Sequence, residues 1–191
     1  RSFADTSRDY AYLGFSHIVP DGMDHILFVL GLFLLSRQLA PLLWQVSAFT
    51  LAHSVTLALS VYGVVSLPVF WVELLIALSI AYVGLENLFT RKLNPSRIVL
   101  VFMFGLLHGL GFAGVLSELD LPEAEVLTAL VFFNLGVEAG QISIILIALL
   151  LVFTLRKKDQ LYRHLIVIPG SLMITVTGLY WFLSKVIAVY L

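Results

Sequence analysis

Long apolar runs separated by short polar breaks dominate the chain. A membrane-spanning helix needs about 20 predominantly apolar residues. Six stretches come near that length. The first covers about Gly22–Ser36, with room to extend backwards through Tyr12–Pro20. The next four are about Leu42–Val65, Val69–Phe89, Arg97–Ser117 and Pro122–Leu155, and the last is about His164–Ile187. The turns between them carry Pro41, Pro68, Asn94-Pro95 and Pro122, residues that stop or restart a helix. No separate soluble domain, long linker, low-complexity segment or internal repeat interrupts this pattern. The reading is an all-α, polytopic membrane protein: a six-transmembrane-helix bundle over 17–191, preceded by a polar extracytoplasmic segment over 1–16.

The fifth stretch is too long for one crossing. As a continuous helix, Pro122 to Leu155 reaches about 50 Å, against a hydrocarbon core of about 30 Å. It must tilt, project from the bilayer or break, and Gly136 and Gly140 are the places for a break or a close helix contact. The segment "HGLGFAG" at 108–114 is also rich in glycine for a span. A local break there would free carbonyl oxygens near His108.

Composition agrees with lipid as the main solvent. Of 191 residues, 60% are hydrophobic and 12% charged, with a mean hydropathy of +1.03. The charged share is about half that of soluble domains. A net charge of −1 gives no basic field for nucleic acid. The absence of cysteine excludes disulfides, thiolate chemistry and cysteine-ligated metal. The chain opens at Arg1 with the polar "RSFADTSRDYAYLGFSH", which lacks the apolar core of a signal peptide. The expectation is that a signal peptide or amino-terminal domain was removed ahead of Arg1.

Charge in the loops sets orientation. Arg37 lies in the first loop, Arg91, Lys92 and Arg97 in the third, and Arg156, Lys157, Lys158 and Arg163 in the fifth. Together these are eight of the 11 basic residues. The fourth loop holds Glu118, Asp120, Glu123 and Glu125 and no base. Positive loops face the cytoplasm. The expected location is a prokaryotic plasma (inner) membrane, multi-pass, with both termini extracytoplasmic.

Polar residues at membrane depth carry the candidate chemistry. An acid at the bilayer centre costs at least about 2.5–3.5 kcal/mol, so several on separate helices are expected to meet. His17, Asp21, Asp24 and His25 stand at the mouth of the first run, with Asp21, Asp24 and His25 spaced i, i+3, i+4. His53 lies mid-span with Ser47, Thr50, Ser54 and Ser60 along its helix, and His108 lies in the fourth span. Asn134, Glu138 and Gln141 follow i, i+4, i+7 and share a face. The expected metal ligands are His17, Asp24, His25, His53, His108 and Glu138. Asp21, Ser54, Glu73, Asn134 and Gln141 support them in a funnel that opens outward. Each has a blander reading. Asp21 suits a helix cap. His53 and His108 suit hydrogen bonds between helices. Glu86 suits an inner gate or a pair with Arg91 or Lys92. Trp44, Trp71, Tyr180 and Trp181 read as interface anchors. Imidazole and carboxylate without thiolate favour a divalent transition metal, Ni²⁺, Co²⁺ or Zn²⁺, over Mg²⁺ or Ca²⁺.

The segments "GFSHIVPDGMDHILFVLGLFLLS", "AFTLAHSVTLALS", "VELLIALSIAYVGLEN", "FGLLHGLGFAGVL" and "FNLGVEAGQ", in this order, resemble the HupE/UreJ family and most closely its second subgroup. The resemblance covers essentially the whole chain. It implies a nickel or cobalt permease with six to eight spans, and it carries Asp24 and His25 over directly, with His53, His108 and Glu138 at shared positions. One spacing departs. The nickel-permease branch has five residues between its first histidine and Asp-His, and this chain has six between His17 and Asp24. The extra residue turns His17 by about 100° on a helix. Three functions remain open: a transition-metal permease, an intramembrane zinc-dependent hydrolase or protease with Glu138 as general base, and a membrane anchor or partner-binding module. Metal ion and membrane lipid are the expected partners. No feature fixes the oligomeric state.

Overall fold

Proline and glycine at 20–22 decide the first turn of the architecture. Pro20 has no N–H to continue a helix. The amide of Asp21 closes onto the Ser16 carbonyl instead, at 3.1 Å. Gly22 lies so near the His17 carbonyl that a Cβ there would collide with it. The chain therefore stops, folds back against the end of its own helix and restarts. Gly22 caps α2 without a side-chain hydrogen bond, and Asp21, whose blander reading is that cap, is an exposed turn residue.

In this computed structural model the described residues are 3–91, 93–117, 123–155 and 158–190. Every regular element among them is helical. The order is α1 (Phe3–Ile18), α2 (Met23–Leu35), α3 (Leu39–Val61), α4 (Val69–Phe89), α5 (Ser96–Ser117), α6 (Glu123–Leu151), a single turn α7 (Asp159–Tyr162) and α8 (Ile168–Tyr190), with a π-helical turn Arg163–Val167 between the last two. Among the described residues, Leu39–Val61, Val69–Phe89, Glu125–Leu151 and Asp159–Ala188 are long and apolar enough to cross a membrane. α1 and α2 qualify together as one broken span bent by 69°, and α5 is a shorter apolar helix over Ser96–Phe112. The protein is thus all-α and polytopic, with four such helices, or five with the bent pair. Lys92, Glu118, Asp120, Pro122, Arg156 and Lys157, which bear on the expected turns and topology, lie outside the described residues, as does the side chain of Glu123.

Several boundaries differ from expectation for local reasons. α3 begins at Leu39, because Pro41 sits in its first turn, where a missing N–H costs nothing. It ends at Val61, before Gly63 at φ 70°. The last span starts before His164. Pro169 offers no N–H to the carbonyl four residues back, and the ladder there widens into the π turn. α6 is unbroken over 29 residues, about 44 Å at 1.5 Å per residue. Its Gly136 is a contact and not a break, packed on the Ala11 carbonyl of α1. α5 likewise runs unbroken past His108, with Gly105 and Gly109 set against Phe49 and His53 of α3. Small residues of this kind let helix backbones approach closely.

α1 lies along α6, α3 along α5 and α4 along α8, with α2 at the centre of these pairs. Phe28, Leu32 and Phe33 of α2 are buried with Phe49, Ile80, Phe133, Ile145 and Ile174 of its neighbours. Large apolar side chains such as Leu51, Leu146, Leu150, Met173 and Val176 face outward, as lipid-facing surface does.

Candidate metal centre

Four histidines from four helices converge beside the break between α1 and α2. His17 ends α1, His25 opens α2, and His53 and His108 lie within α3 and α5. Ring centroids are 4.7 Å apart for His17–His25, 4.8 Å for His25–His108 and 5.9 Å for His25–His53. His25, His53 and His108 are 2%, 0% and 1% exposed. On one continuous helix His17 and His25 would stand about 12 Å apart along the axis. The bend brings them together.

Neighbours fix which nitrogen each ring leaves bare. The Asn134 amide donates to the Leu130 carbonyl at 2.8 Å, which turns its Oδ1 toward His53. That oxygen can only accept, so His53 Nδ1–H donates to it at 3.1 Å. Ser79 donates its hydroxyl to the Ile76 carbonyl at 2.7 Å, so it accepts from His108 Nε2–H at 3.1 Å. The Asp24 carboxylate accepts from His25 Nδ1–H at 3.1 Å. The remaining atoms, His25 Nε2, His53 Nε2 and His108 Nδ1, together with His17 Nε2, are buried with no hydrogen-bond partner. A bare imidazole nitrogen whose partner nitrogen is held by an oxygen is the usual form of a metal ligand.

The ligand atoms form two overlapping groups, His17–His25–His53 and Asp24–His25–His108, each with its atoms within 4.8 Å of one another. His25 belongs to both. Tetrahedral bonds of about 2.1 Å separate ligand atoms by roughly 3.4 Å, so either group closes on an ion with small side-chain shifts. The donor set of imidazole and carboxylate fits a divalent transition metal. Phe112 packs 4.1 Å from the His17 ring, Phe49 lies 5.1 Å from His108 and Phe28 5.3 Å from it. These apolar walls hold the rings and exclude competing donors.

The other expected residues take different places. Glu138 is half-buried and accepts from Ser47 at 2.5 Å. Among the described residues it joins neither ligand group. Asn134, Glu138 and Gln141 do share a face, and that face meets α3. His53 pairs with Asn134 and Thr50 with Gln141 at 3.0 Å. Ser54 turns back onto the Thr50 carbonyl at 2.6 Å. Ser47, Thr50, Ser54, Asn134 and Glu138 line a cavity of about 390 Å³ between α3 and α6. Glu73 pairs with Lys185 at 2.7 Å. Glu86 pairs with the buried Arg97 at 3.3 Å and not with Arg91. Two contributors escaped the sequence reading. Ser79 is a polar residue mid-span in α4, but serine is ordinary in a membrane helix. Lys185 is a base near the end of the last span opposite the basic loops, an anomaly that marks it.

Fold and site together define a class: a polytopic membrane protein with a cluster of histidines and a half-buried aspartate able to hold a divalent metal. The family model described as HupE / UreJ protein matches residues 1–185, and the chain belongs to that family. No curated protein and no solved structure matches it.

Proposed function

We propose that this protein is a permease that carries a divalent transition-metal ion, nickel or cobalt, inward across the plasma membrane of a prokaryote. One observation carries the reading: four bare, buried imidazole nitrogens gather with Asp24 at the break of a discontinuous span. Binding sites built at broken spans are a transporter arrangement. Two groups sharing His25 suit passage better than one closed cage, since an ion in transit must leave as readily as it arrives. Asp24 and His108 take the ion first, and His25 hands it to His17 and His53.

In this reading the six crossings are the bent α1–α2 pair, α3, α4, α5, α6 and the continuous path of α7 and α8. The loops with Arg37, Arg91 and Lys158 face the cytoplasm, and both termini lie outside. The hydrolase alternative needs a carboxylate beside a metal-bound water. Glu138, its candidate base, joins neither ligand group among the described residues, and this favours passage over hydrolysis.

The test is uptake of radiolabelled Ni²⁺ or Co²⁺ into proteoliposomes. His53→Ala and His108→Ala each lower uptake by about tenfold or more, in line with the loss of an intramembrane ligand. Uptake equal to that of the unaltered protein in both variants overturns the proposal. So does an unaltered protein that binds metal tightly and moves none.

A further inference from the structure

A second cavity, of about 380 Å³, opens against the metal centre. Asp21 and Asp24 border it from the turn and from the start of α2, Glu73 from α4, and Trp181, Ser184 and Lys185 from α8. Asp24 belongs to both places. One oxygen accepts from His25, and the other lies 4.0 Å from the unpartnered, buried His108 Nδ1. The cavity therefore reaches the metal centre through the Asp24 carboxylate, which it shares with the histidines. Its three carboxylates and one ammonium leave a formal charge of −2, the complement of a dication. Trp181 gives it a low-dielectric wall, and such clefts focus field and concentrate counter-ions.

Lys185 is the group that fits least with a cation path, and its position suggests its role. Its Nζ lies 2.7 Å from Glu73 Oε2, with side-chain exposures of 34% and 45% for Lys185 and Glu73. A pair this exposed is weakly held. We infer that this cavity is the access chamber for the metal ion and that Lys185 is a tethered competitor, a built-in cation that an incoming dication must displace from Glu73. Monovalent ions do this poorly, because they gain half the attraction of a dication at the same carboxylates. The pair thus acts as a charge-selective filter ahead of the histidines.

The inference rests on the reading of the histidine cluster as a metal site, and the experiment separates the two. Association of Co²⁺ with the purified full-length protein is followed by stopped flow, using the visible absorption that Co²⁺ gains on nitrogen ligation. Lys185→Met raises the association rate at low salt and Glu73→Gln lowers it, and the two variants differ by roughly tenfold. The double variant restores the formal charge of −2 and returns near the unaltered rate. At high salt all four proteins converge within about twofold. The final Co²⁺ spectrum and stoichiometry are the same throughout, because no histidine has changed. Asp21→Asn, at an exposed turn, slows association and carries the test if a helix variant fails to fold. Equal rates at low salt, with the Co²⁺ spectrum intact, overturn the chamber and leave the metal site standing. Absence of the nitrogen-ligated spectrum in the unaltered protein overturns the metal site and the chamber with it.

Discussion

Asn134 and Ser79 do not face the metal position, yet they set its chemistry. Asn134 turns its amide NH2 and Ser79 its single hydroxyl proton to a carbonyl of its own helix, Leu130 and Ile76, and each so presents an oxygen that accepts from an imidazole. The histidine proton is drawn to that side and the lone pair is left facing the cluster. Removing such a partner typically weakens metal affinity 10–100-fold. Asn134→Ala and Ser79→Ala are therefore expected to lower affinity by about that factor without changing the number of ions bound, measured by competition with a chelator of known affinity. Affinity unchanged in both variants would mean the rings are held by packing against Phe49, Phe112 and Phe133 alone. His53, His108 and Asn134 were legible in the sequence because each is costly in an apolar run. Ser79 was not, because its hydroxyl can satisfy itself within one helix, and only the approach of α5 gives it a second task.

At the scale of elements, the break at 19–22 matters most. His17 contributes to the cluster only because α1 and α2 meet at 69°, which brings its ring to 4.7 Å from His25. The turn depends on the absence of a side chain at Gly22, since a Cβ would strike the His17 carbonyl. Gly22→Ala should open the turn and withdraw His17, with a loss of metal affinity like that of His17→Ala. Combined, the two substitutions should cost no more than either alone, the mark of a shared cause in a double-mutant cycle. Additive losses would show that Gly22 acts elsewhere. The sequence pattern located the long apolar helices but not the break. Glycines at 105, 109, 136 and 140 suit close helix contact as well as, at 136 and 140, a break when read along one chain. Here they are sites of close contact with α3 and α1, and that difference lies in the neighbouring helix. Glu138 shows the same limit: its cost in lipid marked it for function, but helical spacing alone did not show that Ser47, one turn before Thr50, would meet it.

Across the whole molecule, charge is layered along the bundle. Asp21, Asp24, Glu73 and Lys185 gather at one end, and the histidines lie next to them. Six residues beyond His25, about 9 Å further along α2, the Gly31 carbonyl accepts from Asn87 at 2.8 Å. Asn87 in turn accepts from Arg97 at 3.3 Å. Arg97 is only 3% exposed, and Glu86 balances its charge at 3.3 Å. Arg37, Arg91 and Arg163 line a cavity of about 220 Å³ with Asp159 and Tyr162. An acid mouth and a basic far end give the bundle a polarity that matches inward capture only if the acid end is external. That condition and the sixth crossing are decided together by cysteine labelling, which the cysteine-free chain permits without a background. In intact cells a membrane-impermeant maleimide is expected to label Ser66→Cys and not Ser96→Cys or Lys158→Cys, which react only after permeabilisation. α4, α5 and α6 separate residue 66 from residue 158. Three crossings put those two residues on opposite sides. If α5, the shorter apolar helix, only dips into the bilayer, they react from the same side and the protein has five crossings. If Ser96→Cys and Lys158→Cys are the ones labelled in intact cells, the acid chamber faces the cytoplasm and the proposed direction of metal movement reverses.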